Sequence, residues 1–77
     1  MIKVLYFANL KETAGTETEQ FNAAGQTVAQ LKQLIADKYQ IKGLDAVMTA
    51  VNEEFSDDDT MLSENDTVAF IPPVSGG

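Results

Sequence analysis

Apolar residues at the start of the chain fall on both sides of a two-residue alternation. Ile2, Val4 and Tyr6 point one way, Lys3, Leu5 and Phe7 the other. A short run rich in β-branched and aromatic residues predicts a strand over 2–8. The polar segment Asn9 to Gly15 reads as a turn, with Gly15 free to take positive φ. Glu17 to Phe21 is a weaker second strand, and the pair would form an N-terminal hairpin.

From Thr27 the period changes. Val28, Leu31, Leu34, Ile35 and Tyr39 recur at spacings of three and four, which predicts a helix over about 27–39 with one apolar face. Thr27 and Gln30 are spaced as a capping box. Lys32 and Lys38 suit the opposite, wet face, and Gly43 lies beyond the helix end. Met48 to Asn52 predicts a third strand that turns at Glu53-Glu54 before Phe55. Asp57-Asp58-Asp59 reads as a solvated loop, and Asp66 to Ile71 as the last strand, stopped by Pro72-Pro73. The order is β-β-α-β-(short β)-β, an α+β chain with a mixed four- to five-stranded sheet and one helix. The domain covers 1–71 and an extended tail covers 72–77.

One helix covers only one face of a sheet. Ile2, Val4, Val68 and Phe70 are assigned to the core beneath it. Leu5, Phe7, Ala69 and Ile71 are then left on the other face, where an apolar patch is a partner surface. The alternative is that loop 40–47 or segment 53–63 folds over that patch.

Composition narrows the chemistry. The 77 residues hold 12 acids and 5 lysines, a net charge of -7, with no histidine, cysteine or arginine. At 44% hydrophobic residues the chain is too apolar for an acidic disordered tail. Without cysteine there is no disulfide, thiolate nucleophile or thiolate zinc site. Without histidine the commonest general base and metal ligand are missing. The acidic balance opposes nucleic-acid binding. No stretch approaches the ~20 apolar residues of a membrane span, and Met1-Ile2-Lys3 does not begin a signal peptide. The expectation is a cytoplasmic domain with no metal, no bound cofactor, no nucleic acid and no membrane.

Three further motifs carry little. The aspartate triplet lacks the ligand spacing and glycine of a calcium loop. Asn65-Asp66-Thr67 fits a glycosylation triplet but reads as a turn. Glu53 and Glu54, adjacent in a strand, would point to opposite faces rather than act as a pair.

The C-terminus is different: Ile71-Pro72-Pro73-Val74-Ser75-Gly76-Gly77. A chance Gly-Gly at a chain end has a probability of roughly 0.5%, taking glycine usage at about 7%, so a selected feature is the better reading. Two prolines give a stiff, extended exit. Two glycines then make the tail thin enough to enter a narrow channel and present a carboxyl carbon.

Met1-Ile2-Lys3-Val4-Leu5-Tyr6-Phe7-Ala8, Ala50-Val51-Asn52 and above all the run from Val68 to Gly77 resemble the small, sulfur-carrying subunit of molybdopterin synthase, the MoaD family of ubiquitin-like β-grasp proteins. The resemblance runs from end to end. It implies that an E1-like enzyme spends ATP to adenylate Gly77, that a sulfur donor converts the adenylate to a thiocarboxylate, and that the tail delivers sulfur to cyclic pyranopterin monophosphate. It implies threading of Pro72, Pro73, Val74, Ser75 and Gly76 into the large subunit, docking through Phe7, Phe55 and Ile71, and a heterotetramer of two small and two large subunits. Catalytic residues would belong to the large subunit. Relatives often carry an arginine in the 9–12 segment, where Lys11 is the nearest substitute here. Alternatives are a sulfur carrier for thiazole synthesis or tRNA thiolation, a ubiquitin-like protein modifier, and a plain interaction module.

Overall fold

The computed structural model describes residues 1–72 of the chain. The expectations for Pro73, Val74, Ser75, Gly76 and Gly77 lie outside the described residues. Five strands form one sheet: β1 (Ile2–Tyr6), β2 (Thr18–Phe21), β3 (Met48–Val51), β4 (Glu54–Phe55) and β5 (Thr67–Ile71). Their order is β2-β1-β5-β3-β4. β1 and β5 run parallel at the centre, and every other pair is antiparallel. This is the α+β, mixed-sheet layout expected.

Helix α2 (Val28–Tyr39) covers one face. Its capping box forms as the sequence predicts: the Gln30 N–H donates to Thr27 Oγ1 at 3.2 Å, and the Thr27 N–H donates to Gln30 Oε1 at 2.8 Å. The next free donors of the first turn are taken by a loop. Val28 N–H donates to the Thr60 carbonyl and Ala29 N–H to the Asp58 carbonyl, both at 3.0 Å. Segment 57–62 is thereby pinned to the start of the helix. Leu44, at the start of a 3-10 turn (Leu44–Ala46), and Leu62 are buried with Ile2, Val4, Val28, Leu31, Ile35, Val68 and Phe70. Neither loop 40–47 nor segment 53–63 closes over the opposite face, where Phe55 stays 70% exposed. The covering-loop alternative is therefore corrected.

Four further expectations are corrected. Asn9–Ala14 is a short helix, α1, rather than a plain turn; it closes on Gly15, whose φ of 75° accepts the left-handed cap. Its six residues, with only Leu10 buried, are too few for a period to show in the sequence. Leu34, assigned to the apolar face, is 42% exposed, whereas Lys32, assigned to the wet face, is only 5% exposed. At about 100° per residue Leu34 stands roughly 120° away from Val28 and Lys32 only about 40°. The apolar stripe is therefore Val28-Leu31-Ile35-Tyr39, and Lys32 lies at its edge. Its ammonium is matched by Asp58 Oδ1 at 2.8 Å, so the aspartate triplet is not merely a solvated loop. Finally, the β3–β4 turn is Asn52-Glu53, one residue earlier than expected, and Glu54 belongs to β4.

Candidate functional site

The uncovered sheet face is built row by row. Phe55 pairs with Ala50, Ala50 with Ala69, Ala69 with Leu5, and Leu5 with Thr18. Residues paired across a sheet project to the same side, so this row crosses the whole open face. Its two central members are alanines, while Phe55 and Leu5 stand on either side. A second row pairs Met48 with Ile71, and Phe7 follows β1 at the same end of the sheet. Small residues in the middle and large ones around them leave an open hollow of about 590 Å³. Leu5, Phe7, Ala50, Phe55, Ala69 and Ile71 all line it.

Phe7 is 46% exposed, Met48 49% exposed, and Ile71 half-buried. The structure thus brings Phe7, Phe55 and Ile71 to one face, with Leu5 and Ala69 beside them. Met48 and Ala50 also stand there and were missed, although the alternation of strand 48–52 places them on that side. Pro72 follows Ile71 directly and has no N–H to extend the ladder. The tail therefore begins where the apolar face ends.

The hairpin that carries Phe55 is set by its turn. Asn52 and Glu53 both have positive φ, 52° and 72°. A two-residue loop of this kind matches the twist of the flanking strands. The Asn52 side chain also ties the hairpin to β5. Its Oδ1 accepts from the Thr67 N–H at 3.0 Å and its Nδ2 donates to Asp66 Oδ1 at 2.9 Å. Asp66 accepts a further hydrogen bond from the Ser63 N–H at 2.8 Å, and together these donors hold its carboxyl below the ordinary range. Asn65, in the triplet, is a turn residue with φ 71°.

On the helix side lies a polar cluster unused by the open face. Glu19 Oε1 accepts from Tyr6 Oη at 2.8 Å and from Tyr39 Oη at 2.6 Å, and its Oε2 pairs with Lys38. Burial opposes the charge on Glu19, but hydrogen bonds from Lys38, Tyr39 and Tyr6 outweigh it and lower its pKa from the ordinary 4.5. Tyr6 moves the other way. Burial first, then its bond to the Glu19 carboxylate, raise the phenol well above its usual range. The cluster clasps β1, β2 and α2 together, and a structural role accounts for it.

Among the described residues no group of three or more acidic side chains is arranged to hold a metal ion. No helix of the described residues is long and apolar enough to cross a membrane. The described residues thus present one open apolar face, with Pro72 following Ile71 at its edge.

Comparisons with known proteins agree with that geometry. The ThiS family profile matches residues 4–77. The chain is 40% identical over 81 residues to the molybdopterin synthase sulfur carrier subunit of Escherichia coli K12, an alignment covering 100% of both chains. Its structure is similar to one chain of the protein-protein complex of subunits 1 and 2 of the molybdopterin-converting factor from Helicobacter pylori, with a TM-score of 0.73, 26% identity, and coverage of 99% of this chain and 97% of that one. It is also similar to small archaeal modifier protein 1 from Methanosarcina acetivorans, with a TM-score of 0.81, 28% identity, and coverage of 99% and 95%. The chain belongs to the ThiS family and, within it, to the ubiquitin-like sulfur carrier subunits of molybdopterin synthase.

Proposed function

We propose that this chain carries sulfur on Gly77 for the synthesis of molybdopterin. The observation that carries the reading is the uncovered apolar face, with Phe7, Phe55 and Ile71 around a hollow and Pro72 leading off its edge. A carboxylate is a poor electrophile. An E1-like enzyme supplies ATP: the Gly77 carboxylate attacks the α-phosphate, pyrophosphate leaves, and an acyl-adenylate results. A sulfur donor displaces AMP and leaves a terminal thiocarboxylate, an anionic sulfur held without cysteine.

The apolar face then docks on the large subunit. Pro72, Pro73, Val74, Ser75 and Gly76 thread Gly77 toward cyclic pyranopterin monophosphate, where its sulfur forms a C–S bond with the substrate and water cleaves the acyl–sulfur bond to return the Gly77 carboxylate. Two such transfers build the dithiolene. Two small and two large subunits make up the assembly, and its pterin-binding and acid-base groups lie on the large subunit. No cofactor resides on this chain, and the cytoplasm supplies the ATP.

Co-expression with the activating enzyme should shift the intact mass by one oxygen-to-sulfur exchange, confined to the C-terminal peptide. Purified with the large subunit, the loaded chain should form molybdopterin from cyclic pyranopterin monophosphate. An unshifted mass, under conditions that load a control carrier, rejects the reading. A loaded chain that thiolates thiazole or tRNA precursors but forms no molybdopterin redirects it to those pathways. The likeness to an archaeal modifier favours one second reading, attachment of Gly77 to lysine amines; an isopeptide ladder lost on deletion of Gly77 would identify it.

A further inference from the structure

The rim of the open face is electrically one-sided. Along the β4 flank Glu53 lines the main hollow and Asp57 comes two residues after Phe55; both are exposed, whereas Glu54, paired with the core residue Val51, projects to the other side of the sheet. A second hollow of about 320 Å³ adjoins Phe55 and Met48 and is lined also by Asp57, Thr49 and the Lys32–Asp58 ion pair. The buried Thr49 hydroxyl has no hydrogen-bond partner among the described residues. On this flank Lys32 neutralises Asp58, and among the described residues no lysine neutralises Glu53 or Asp57. Lys11 pairs with Glu17 and Lys38 with Glu19, while no described ion pair engages Glu53 or Asp57.

The other flank differs. Lys3 stands on the open face in β1, and the Lys11–Glu17 pair, 2.7 Å apart, lies beside Leu5 and Phe7. The face thus runs from uncompensated negative charge at β4 to balanced or positive charge at β1 and β2.

We infer that the acidic β4 flank seats a strip of lysine or arginine side chains on the large subunit, and that this one-sided rim orients the small subunit as it docks. The inference rests on the proposed function, because that reading supplies the partner. An apolar hollow gives affinity without direction, since dispersion and water release are indifferent to rotation about the contact. Charge confined to one edge adds the missing direction: the docked pose that meets the basic strip is favoured, and the reversed pose leaves like charges opposed. Correct rotation decides whether a tail leaving at Pro72 faces the entrance of its channel. A second copy of this chain is the weaker occupant, because each copy brings a net charge of -7.

The test compares two charge-reversed variants of the full chain that alter net charge equally. Glu53→Lys with Asp57→Lys reverses the flank; Asp37→Lys with Glu64→Lys reverses sites off the open face. Association with the purified large subunit is followed by stopped flow over a range of salt. The flank variant should associate about tenfold more slowly at low salt, with a flatter salt dependence, while the control stays close to wild type. The neutral pair Glu53→Gln with Asp57→Asn should fall between. Near 1 M salt, where charges are screened beyond about 3 Å, the variants should converge.

Equal slowing by both reversed variants would show that net charge alone matters and overturn the inference. So would unchanged rates in the flank variant. Wild-type chain that fails to bind the large subunit at all rejects the proposed function instead, and the inference with it. An isolated chain that sediments as a dimer strengthened by Glu53→Lys with Asp57→Lys would assign the flank to a second copy and overturn the inference alone.

Discussion

Ala8 takes the chain from β1 into α1 with φ 53° and ψ -131°. An L-residue is strained there because its Cβ crowds the backbone. Alanine is the smallest side chain that carries the strain, and glycine would carry none. Ala8→Gly should therefore raise stability by about 1 kcal/mol, offset in part by the greater freedom glycine has when unfolded. Ala8→Val should lower it. Urea denaturation of the three proteins checks the order. Nothing in the sequence marked this position, because an alanine after a strand gives no sign of positive φ. Asn52 is the contrasting case. Asparagine is at home in a left-handed turn, and the Ala50-Val51-Asn52 motif was noticed. Its physical content emerged only with the fold: the side chain joins the hairpin to β5, a contact between residues 15 apart in sequence.

Between elements, the join between α2 and segment 57–62 holds the most chemistry. Two helix N–H groups donate to its carbonyls, and the nearly buried Lys32 ammonium meets Asp58. Truncating the exposed partner leaves a buried charge unmatched, whereas replacing the lysine with an apolar chain of similar volume removes the charge altogether. Asp58→Ala should destabilise the domain by roughly 1–3 kcal/mol. Lys32→Met should stay within about 1 kcal/mol of wild type or exceed it. Thermal unfolding of both separates the cases, and equal losses would contradict the account. The long helix, its cap and the five strands, the short one included, were legible, since period and capping residues are local signals. Lys32 was misplaced because a lysine counts as polar in any pattern, while its long stem lets the carbon chain be buried with the charge at the edge. Segment 57–62 was illegible for a related reason. Much of its grip on the helix comes from backbone carbonyls, which no residue type announces.

For the whole molecule, acid is the natural stress. Glu17, Glu19 and Asp66 all have carboxyl pKa values lowered by their native partners: Glu17 by Lys11, Glu19 by Lys38, Tyr39 and Tyr6 against the pull of burial, Asp66 by the Ser63 N–H and the Asn52 amide. A carboxyl whose pKa is lower folded than unfolded binds more protons in the unfolded chain. Its stabilisation is complete above the unfolded value, about 4.5 for glutamate, and is lost as pH falls through the folded one. Stability should thus decline steadily below about pH 4.5, and Glu19→Gln should make that decline shallower. Urea midpoints measured from neutral to about pH 3 test it. The open face itself was half legible: alternation gave Leu5, Phe7, Ala69 and Ile71, but its concavity needed the register. That concavity comes from Ala50 and Ala69, two methyl groups where larger side chains would stand. Both lie on the side away from the helix. Enlarging either one reshapes the open face without disturbing Val4, Val68 or Phe70 behind the sheet. Folding and the shape of the open face are therefore written in separate letters of the same strands, so that either can change without the other.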